Sequence, residues 1–265
     1  MKTSSSDNGI YPDFCESAST VDEVFKCFRS NTIYKSVVET VSENDGKDYL
    51  TKALSKTPSL KKNLNKFVTS EKVGSPNTFG YKNTWFSQSH QIAPTTARYI
   101  KNLSDLYNLF GSLEGMRIAE IGGGYGGLCK IISDQFNFKS YTLFDLPPCL
   151  KLSKKFLNTF GIDNVYYETE SSIASNLEFD LVISNYAFSE LNSNLQDIYY
   201  KKVLETSFRG YLTCNFKTHT WEHMQMSEDN FSSFDNLKIF KDISYLGNID
   251  VMCGVVLITW NKLKE

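Results

Sequence analysis

The sequence lacks three features that would assign it at once to a common class of protein. Its six cysteines are scattered without a C-x-x-C pair, which argues against a zinc site and a disulfide framework. Lys and Arg number 28 against 30 Asp and Glu, so no basic excess indicates a nucleic-acid partner. No apolar run approaches the roughly 18 residues that cross a bilayer. We therefore expect reduced thiols, no nucleic-acid binding and no membrane insertion.

The N-terminus is also poor in apolar residues. Residues 1–9 lack the hydrophobic core of a signal peptide, so we expect a cytoplasmic protein. Apolar residues then recur at helical spacing, and Pro94 is placed to begin a further helix that continues to Phe110. We predict a flexible N-terminus over residues 1–19, an α-helical cap or lid over 20–112 and a main domain over 113–265.

A glycine-rich loop follows a short apolar segment in the middle of the chain. Residues 117–121 are typical of a buried parallel strand, and Gly122, Gly124 and Gly126 can adopt positive φ. A helix that begins there points its free N–H groups at a ligand above the loop. The spacing satisfies the dinucleotide fingerprint. With Glu120 two positions ahead, it also resembles the first motif of class I S-adenosylmethionine (SAM) methyltransferases.

Strands and helices alternate after residue 116, which predicts an open α/β sheet. The last two strands, over 237–243 and 251–260, are predicted to be joined by a turn at residues 247–248 and therefore to pair antiparallel. Asp145 follows the second strand, where a carboxylate can accept hydrogen bonds from both ribose hydroxyls of NAD or SAM. The hairpin, Glu120 and the late position of the glycines favour SAM.

Residues 116–260 resemble a class I SAM-dependent methyltransferase. Three shorter segments, 89–94, 184–191 and 218–223, are similar to sugar O-methyltransferases of bacterial glycan clusters. The resemblance implies a Rossmann-like sheet of parallel strands with a C-terminal antiparallel hairpin, beneath an α-helical N-terminal cap. It implies SAM as the cofactor and methyl transfer to a hydroxyl of a sugar or nucleotide-sugar in bacterial capsule or lipopolysaccharide biosynthesis.

The same resemblance places eight residues around SAM. They are Glu120, Gly122, Gly124, Asp145, Leu146, Ser171, Ser172 and Asn185. The first three would line the methionine end, the aspartate would hold the ribose and the leucine would pack on the adenine. The two serines would approach the adenine edge, and the asparagine would lie beneath the transferable methyl group. Residues 185–188 depart from the Asp/Asn-Pro-Pro-Tyr/Phe motif of amino- and nucleobase-N-methyltransferases, which disfavours a nucleic-acid substrate.

Methylation of a hydroxyl calls for a general base, because a neutral hydroxyl is a poor nucleophile. His219 follows the fifth predicted strand, at the edge of the sheet where ligands bind in this fold, and is the first candidate. Glu190 and His90 are the next candidates. His219 and His223 with a nearby carboxylate would suit a metal, but magnesium prefers oxygen ligands, and we expect none.

Several alternatives remain open from the sequence. Arg98 would pair with the SAM carboxylate or with an acidic sugar, or lie on the surface as a solvated charge. The expected partner is a small sugar or nucleotide-sugar, and a homodimer is left open. The rival functions are an NAD-linked oxidoreductase, methylation of a non-sugar metabolite at oxygen or nitrogen, and a SAM-binding partner subunit without catalysis.

Overall fold

Helices dominate the first part of the chain, and strands alternate with helices after residue 116. The computed structural model describes residue 4 and residues 6–83, 88–173, 178–216 and 226–262. The α-helices are α1 (Ile10–Thr20), α2 (Asp22–Phe25), α3 (Thr32–Lys35), α4 (Glu43–Lys56), α5 (Leu64–Phe67), α6 (Pro94–Phe110), α7 (Gly127–Ser133), α8 (Pro147–Asn158), α9 (Ser193–Tyr199) and α10 (Asn248–Met252). The strands are β1 (Phe79–Asn83), β2 (Gln88–Ile92), β3 (Arg117–Ile121), β4 (Ser140–Phe144), β5 (Val165–Glu168), β6 (Leu181–Asn185), β7 (Arg209–Cys214), β8 (Lys238–Phe240) and β9 (Val256–Asn261). Of the helices in the described ranges, none has the length and apolar character to span a membrane.

Seven strands form one sheet in the order β5-β4-β3-β6-β7-β9-β8. The first five of these pair parallel with one another. β9 pairs antiparallel with β7, and β8 pairs antiparallel with β9. The central strands are buried, which explains why they are apolar with little alternation. This mixed α/β sheet, with its antiparallel edge and helical N-terminal region, confirms the predicted fold class.

The predicted turn between the last two strands is wrong in one respect. The strands do pair antiparallel, with Ile239 opposite Ile258. Residues 247–248 do not join them directly, because α10 begins at Asn248 and lies in the connection. The Asp250 side chain on α10 accepts the Gly247 N–H at 3.0 Å, so local capping and tertiary contacts favour a helical turn here.

The N-terminal region packs on the sheet through a shared apolar core that includes Leu54, Ile100 and Ile118. Helix α1 lies mostly in the segment predicted as a flexible N-terminus, and it buries Tyr11 and Cys15. Strands β1 and β2 form an antiparallel hairpin inside the segment predicted as helical. The domain boundaries therefore stay a prediction, since one core runs across the division at residue 112.

Candidate active site

The strand order reverses between β3 and β6, and the carboxyl ends of those strands open a crevice of the kind that binds ligands in open α/β sheets. A cavity of about 730 Å³ lies there. Its lining includes residues 120–124, 144–146 and 185–187, which follow or end β3, β4 and β6. Residues 36–38 and 40–41 of the cap complete part of the wall. The volume lies within the roughly 300–1,000 Å³ typical of small-molecule sites.

The glycine loop has the backbone conformation that its sequence predicts. Gly122 and Gly124 have φ of 77° and 56°, in the region that favours glycine. Gly122 also has no room for a side chain, because an added Cβ would lie 2.0 Å from the Ala187 Cβ. The glycine loop after β3 therefore packs directly on the turn after β6, and this contact joins the two parts of the cavity wall that follow these strands.

Asp145 lies at the end of β4, beside this loop. Its Oδ2 accepts the Gly124 N–H at 3.0 Å, and its Oδ1 accepts the Leu146 N–H at 2.8 Å. Burial raises the pKa of the Asp145 carboxyl to about 6, although both hydrogen bonds favour the charged form. The structure thus brings Asp145, Leu146 and the glycines to one wall of the cavity.

Glu120 faces the cavity from the end of β3. Its side chain is 3% exposed, and its Oε2 accepts the Tyr141 hydroxyl at 2.7 Å. Burial raises the pKa of the Glu120 carboxyl to about 7, and the negative charge of Asp145 adds to this rise. The site therefore holds two carboxylates whose charge is costly until a positively charged group or a set of donors compensates them.

The remaining predicted cofactor residues divide into two groups. Asn185 lines the cavity, and its Oδ1 accepts the Asn102 Nδ2–H at 2.9 Å. Its own Nδ2 is buried without a hydrogen-bond partner in the described ranges. Ser171 and Ser172 are exposed and lie outside the cavity lining, whereas the preceding Glu170 belongs to it.

The three candidate bases lie in different surroundings. Glu190 lines the cavity, and its Oε1 accepts the Asn215 Nδ2–H at 3.0 Å. His90 is buried on β2 and is absent from the cavity lining that the described residues form. His219 and His223 lie outside the described residues. The described residues hold no cluster of three or more His, Cys, Asp or Glu suited to a metal ion.

Sequence reasoning missed a polar cluster on the β6 side of the cavity. The hydroxyls of Tyr186 and Tyr49 donate to Asp250 at 2.7 and 2.8 Å, one to each carboxylate oxygen. Burial raises the pKa of the Tyr186 phenol well above its ordinary value, and the Asp250 charge adds to the effect. The guanidinium of Arg98 lies 5.6 Å from the centre of the Tyr186 ring. The only sequence signal was the unusual Asn-Tyr-Ala-Phe block at 185–188.

Solved structures share part of this architecture. A Thermoplasma acidophilum protein is 18% identical, covering 64% of this chain and 91% of its own, with a TM-score of 0.43. An rRNA methylase from Streptococcus thermophilus is 15% identical, covering 57% and 90%, with a TM-score of 0.42. Phosphoethanolamine N-methyltransferase 2 of Haemonchus contortus, solved with S-adenosyl-L-methionine, is 13% identical, covering 62% and 52%, with a TM-score of 0.46. No protein-family model and no curated protein sequence matches the chain. Likeness at this level assigns no function, so the function proposed below rests on the cavity itself.

Proposed function

We propose that the cavity binds SAM and transfers its methyl group to a hydroxyl of a sugar or nucleotide-sugar. The observation that carries the cofactor proposal is the pair of carboxylates, Glu120 and Asp145, on either side of the glycine loop. SAM brings a sulfonium and an ammonium group, which compensate buried negative charge, and a ribose whose hydroxyls donate to a carboxylate.

The same pair of carboxylates disfavours NAD. A dinucleotide pyrophosphate needs free N–H groups or cations at the loop. Here the Gly124 N–H already donates to Asp145, and Arg98 is the one cationic side chain among the described residues that line the cavity. A pyrophosphate beside Glu120 and Asp145 would meet like charge, so the oxidoreductase alternative is the weaker proposal.

The proposed roles follow the positions of the side chains. Glu120 would face the methionine end, Asp145 the ribose hydroxyls, Leu146 the adenine and Asn185 the methyl group. The adenine-edge role expected of the two serines passes in this proposal to Glu170, which faces the cavity.

When bound, SAM supplies a methyl carbon activated by its sulfonium. The chain must then hold an acceptor hydroxyl and take its proton. Among the described residues we propose Glu190 as the general base that takes this proton, because it lines the cavity soon after the end of β6. His219 stays a candidate, and His90 becomes a weaker one because it lies away from the cavity lining. Polar and aromatic side chains on the acceptor side, such as Tyr186 and Asn215, support a hydroxyl-rich acceptor.

Two measurements test this proposal. SAM or S-adenosylhomocysteine (SAH) should raise the thermal midpoint by mass action, whereas NAD and NADP should not. Incubation with SAM and a panel of sugars and nucleotide-sugars should then yield a product heavier by one methyl group in place of one hydrogen. A thermal shift with NAD and none with SAM would contradict the cofactor assignment. Binding of SAH without any methylated product from the panel would favour a non-catalytic SAM-binding subunit.

A further inference from the structure

We infer that Arg98 and Tyr186 form an acceptor subsite for a hydroxyl compound that carries an anionic group, either a carboxylate or a phosphate. The inference rests on the proposed methyl transfer and names the class of its acceptor. A uronic acid or a sugar phosphate has this chemistry, whereas the corresponding neutral sugar lacks it.

Arg98 is the first part of the subsite. It lies half-buried on α6 and lines the cavity, and its Nε is buried without a hydrogen-bond partner in the described ranges. Its Nη2 donates to the Val38 carbonyl, but at 3.4 Å this hydrogen bond is long and therefore weak. Among the described residues, no carboxylate forms an ion pair with it, whereas the buried Arg29 pairs with both Glu39 and Glu71. Burial by itself would lower the pKa of the guanidinium, but the charge of Asp250 reaches it and helps to raise that pKa, without a direct ion pair in the part of the chain that the structure describes. The guanidinium therefore keeps an open N–H donor for an anion that enters with a ligand.

Tyr186 is the second part. Its hydroxyl proton points to the Asp250 Oδ1, while Tyr49 and the Gly247 N–H donate to the Oδ2. Because the proton of Tyr186 is committed to Asp250, the phenolic oxygen keeps lone pairs that can accept a hydrogen bond from a ligand hydroxyl. The backbone of Tyr186 has φ of 68°, a strained value for a bulky residue, which the surrounding contacts must hold in place.

The position of this pair separates it from the ribose end of the cofactor. Tyr186 directly follows β6, and the Arg98 guanidinium lies against its ring. Asp145 lies at the end of β4, with β3 between them in the sheet. Two strand spacings separate the subsite from the ribose position by about 10 Å. In this proposal the hydroxyl that donates to Tyr186 is a second hydroxyl of the acceptor, distinct from the reacting hydroxyl whose proton Glu190 takes.

The first experiment compares acceptors that differ in one anionic group. Glucose, glucuronate and glucose 6-phosphate are incubated with SAM and the full chain, and methyl incorporation is followed by mass spectrometry. We expect kcat/KM for at least one acidic sugar to exceed that for glucose by about 10- to 100-fold, the effect of a charge-assisted hydrogen bond. Arg98→Gln should remove this preference, and Arg98→Lys should retain part of it, because it keeps the charge without the planar fork.

Arg209→Gln is the matched control. Arg209 is also half-buried with an unpartnered Nε in the described ranges, but it lies on β7 outside the cavity lining. Its replacement should leave the acid preference intact. Equal methylation of acidic and neutral sugars by the wild type, an intact preference in Arg98→Gln, or SAH binding without methylation of either acidic sugar would each overturn the inference.

The second experiment separates this subsite from the carboxylate of the cofactor. SAH and 5′-methylthioadenosine, which lacks the amino-acid portion, are titrated calorimetrically into the wild type and Arg98→Gln. We expect unchanged affinity for both compounds. Weaker binding of SAH alone would assign Arg98 to the cofactor carboxylate and overturn the inference. Failure of the wild type to bind SAH would instead count against the proposed function.

Discussion

Replacement of Glu120 by Gln tests whether the buried carboxylate destabilises the protein when no cationic ligand is bound. The change keeps the shape of the side chain and an oxygen that can accept the Tyr141 hydroxyl, now 2.7 Å away. It removes only the negative charge. Glu205→Gln, at an exposed position, is the matched control.

The expected size follows from the pKa. Burial raises the pKa of Glu120 from 4.5 to about 7, so the folded state binds the proton more tightly than the unfolded state. The wild type therefore loses stability as the pH rises from about 4.5 to about 7. At about 1.4 kcal/mol for each pH unit, the loss reaches roughly 3 kcal/mol. Glu120→Gln does not bear this loss, so it should be the more stable protein above pH 7, by roughly 6–12 °C in thermal midpoint.

Urea unfolding without ligand at pH 4.5 and pH 8 measures this difference. We expect Glu120→Gln to match the wild type at the lower pH and to exceed it at the higher pH, while Glu205→Gln follows the wild type at both. A destabilised Glu120→Gln protein at pH 8, or the same stability difference at both pH values, would show that the charge of Glu120 does not destabilise the folded protein. SAH should also release a proton from Glu120 near pH 6.5, visible by calorimetry in buffers of different ionisation enthalpy and absent in Glu120→Gln.

Three further predictions concern the loop, the base and the polar cluster. Gly122→Ala should lower the free energy of unfolding by about 1–3 kcal/mol and abolish SAH binding, because its Cβ would overlap Ala187. Gly161→Ala also has positive φ but open space around the Cβ, so it should lower stability less and leave SAH binding unchanged. Urea unfolding and calorimetry measure the two effects. Glu190→Gln should lower kcat by about 10²–10⁴ in a methyl-transfer assay with an unchanged Kd for SAH. Tyr49→Phe should cost about 1.5–3 kcal/mol in urea unfolding, because it removes a hydrogen bond to a buried carboxylate.

The parts of the site that depend on local chemistry can be predicted from the amino-acid sequence. Gly122 and Gly124 adopt positive φ, which glycine does freely. Both come shortly after β3, so the sequence pattern is local enough to predict the loop. Pro94 begins helix α6 as predicted, because proline suits the first turn of a helix, and the helix continues to Phe110. Asp145 meets the loop because neighbouring parallel strands end at the same edge of the sheet.

Which distant side chains share the cavity depends on long-range packing and could not be predicted from the sequence. Tyr49 and Asp250 are 201 residues apart in sequence, and no local periodicity predicts that their side chains meet. Glu170 lines the cavity, whereas Ser171 and Ser172 do not, because the short helical turn over residues 170–172 directs their side chains differently. The sequence pattern does not predict the orientation of that turn. His90 lies away from the cavity because its strand, β2, pairs with β1 in a separate two-stranded sheet, and none of the described residues of β2 belongs to the cavity lining. Packing between residues distant in sequence determines which of these side chains face the cavity.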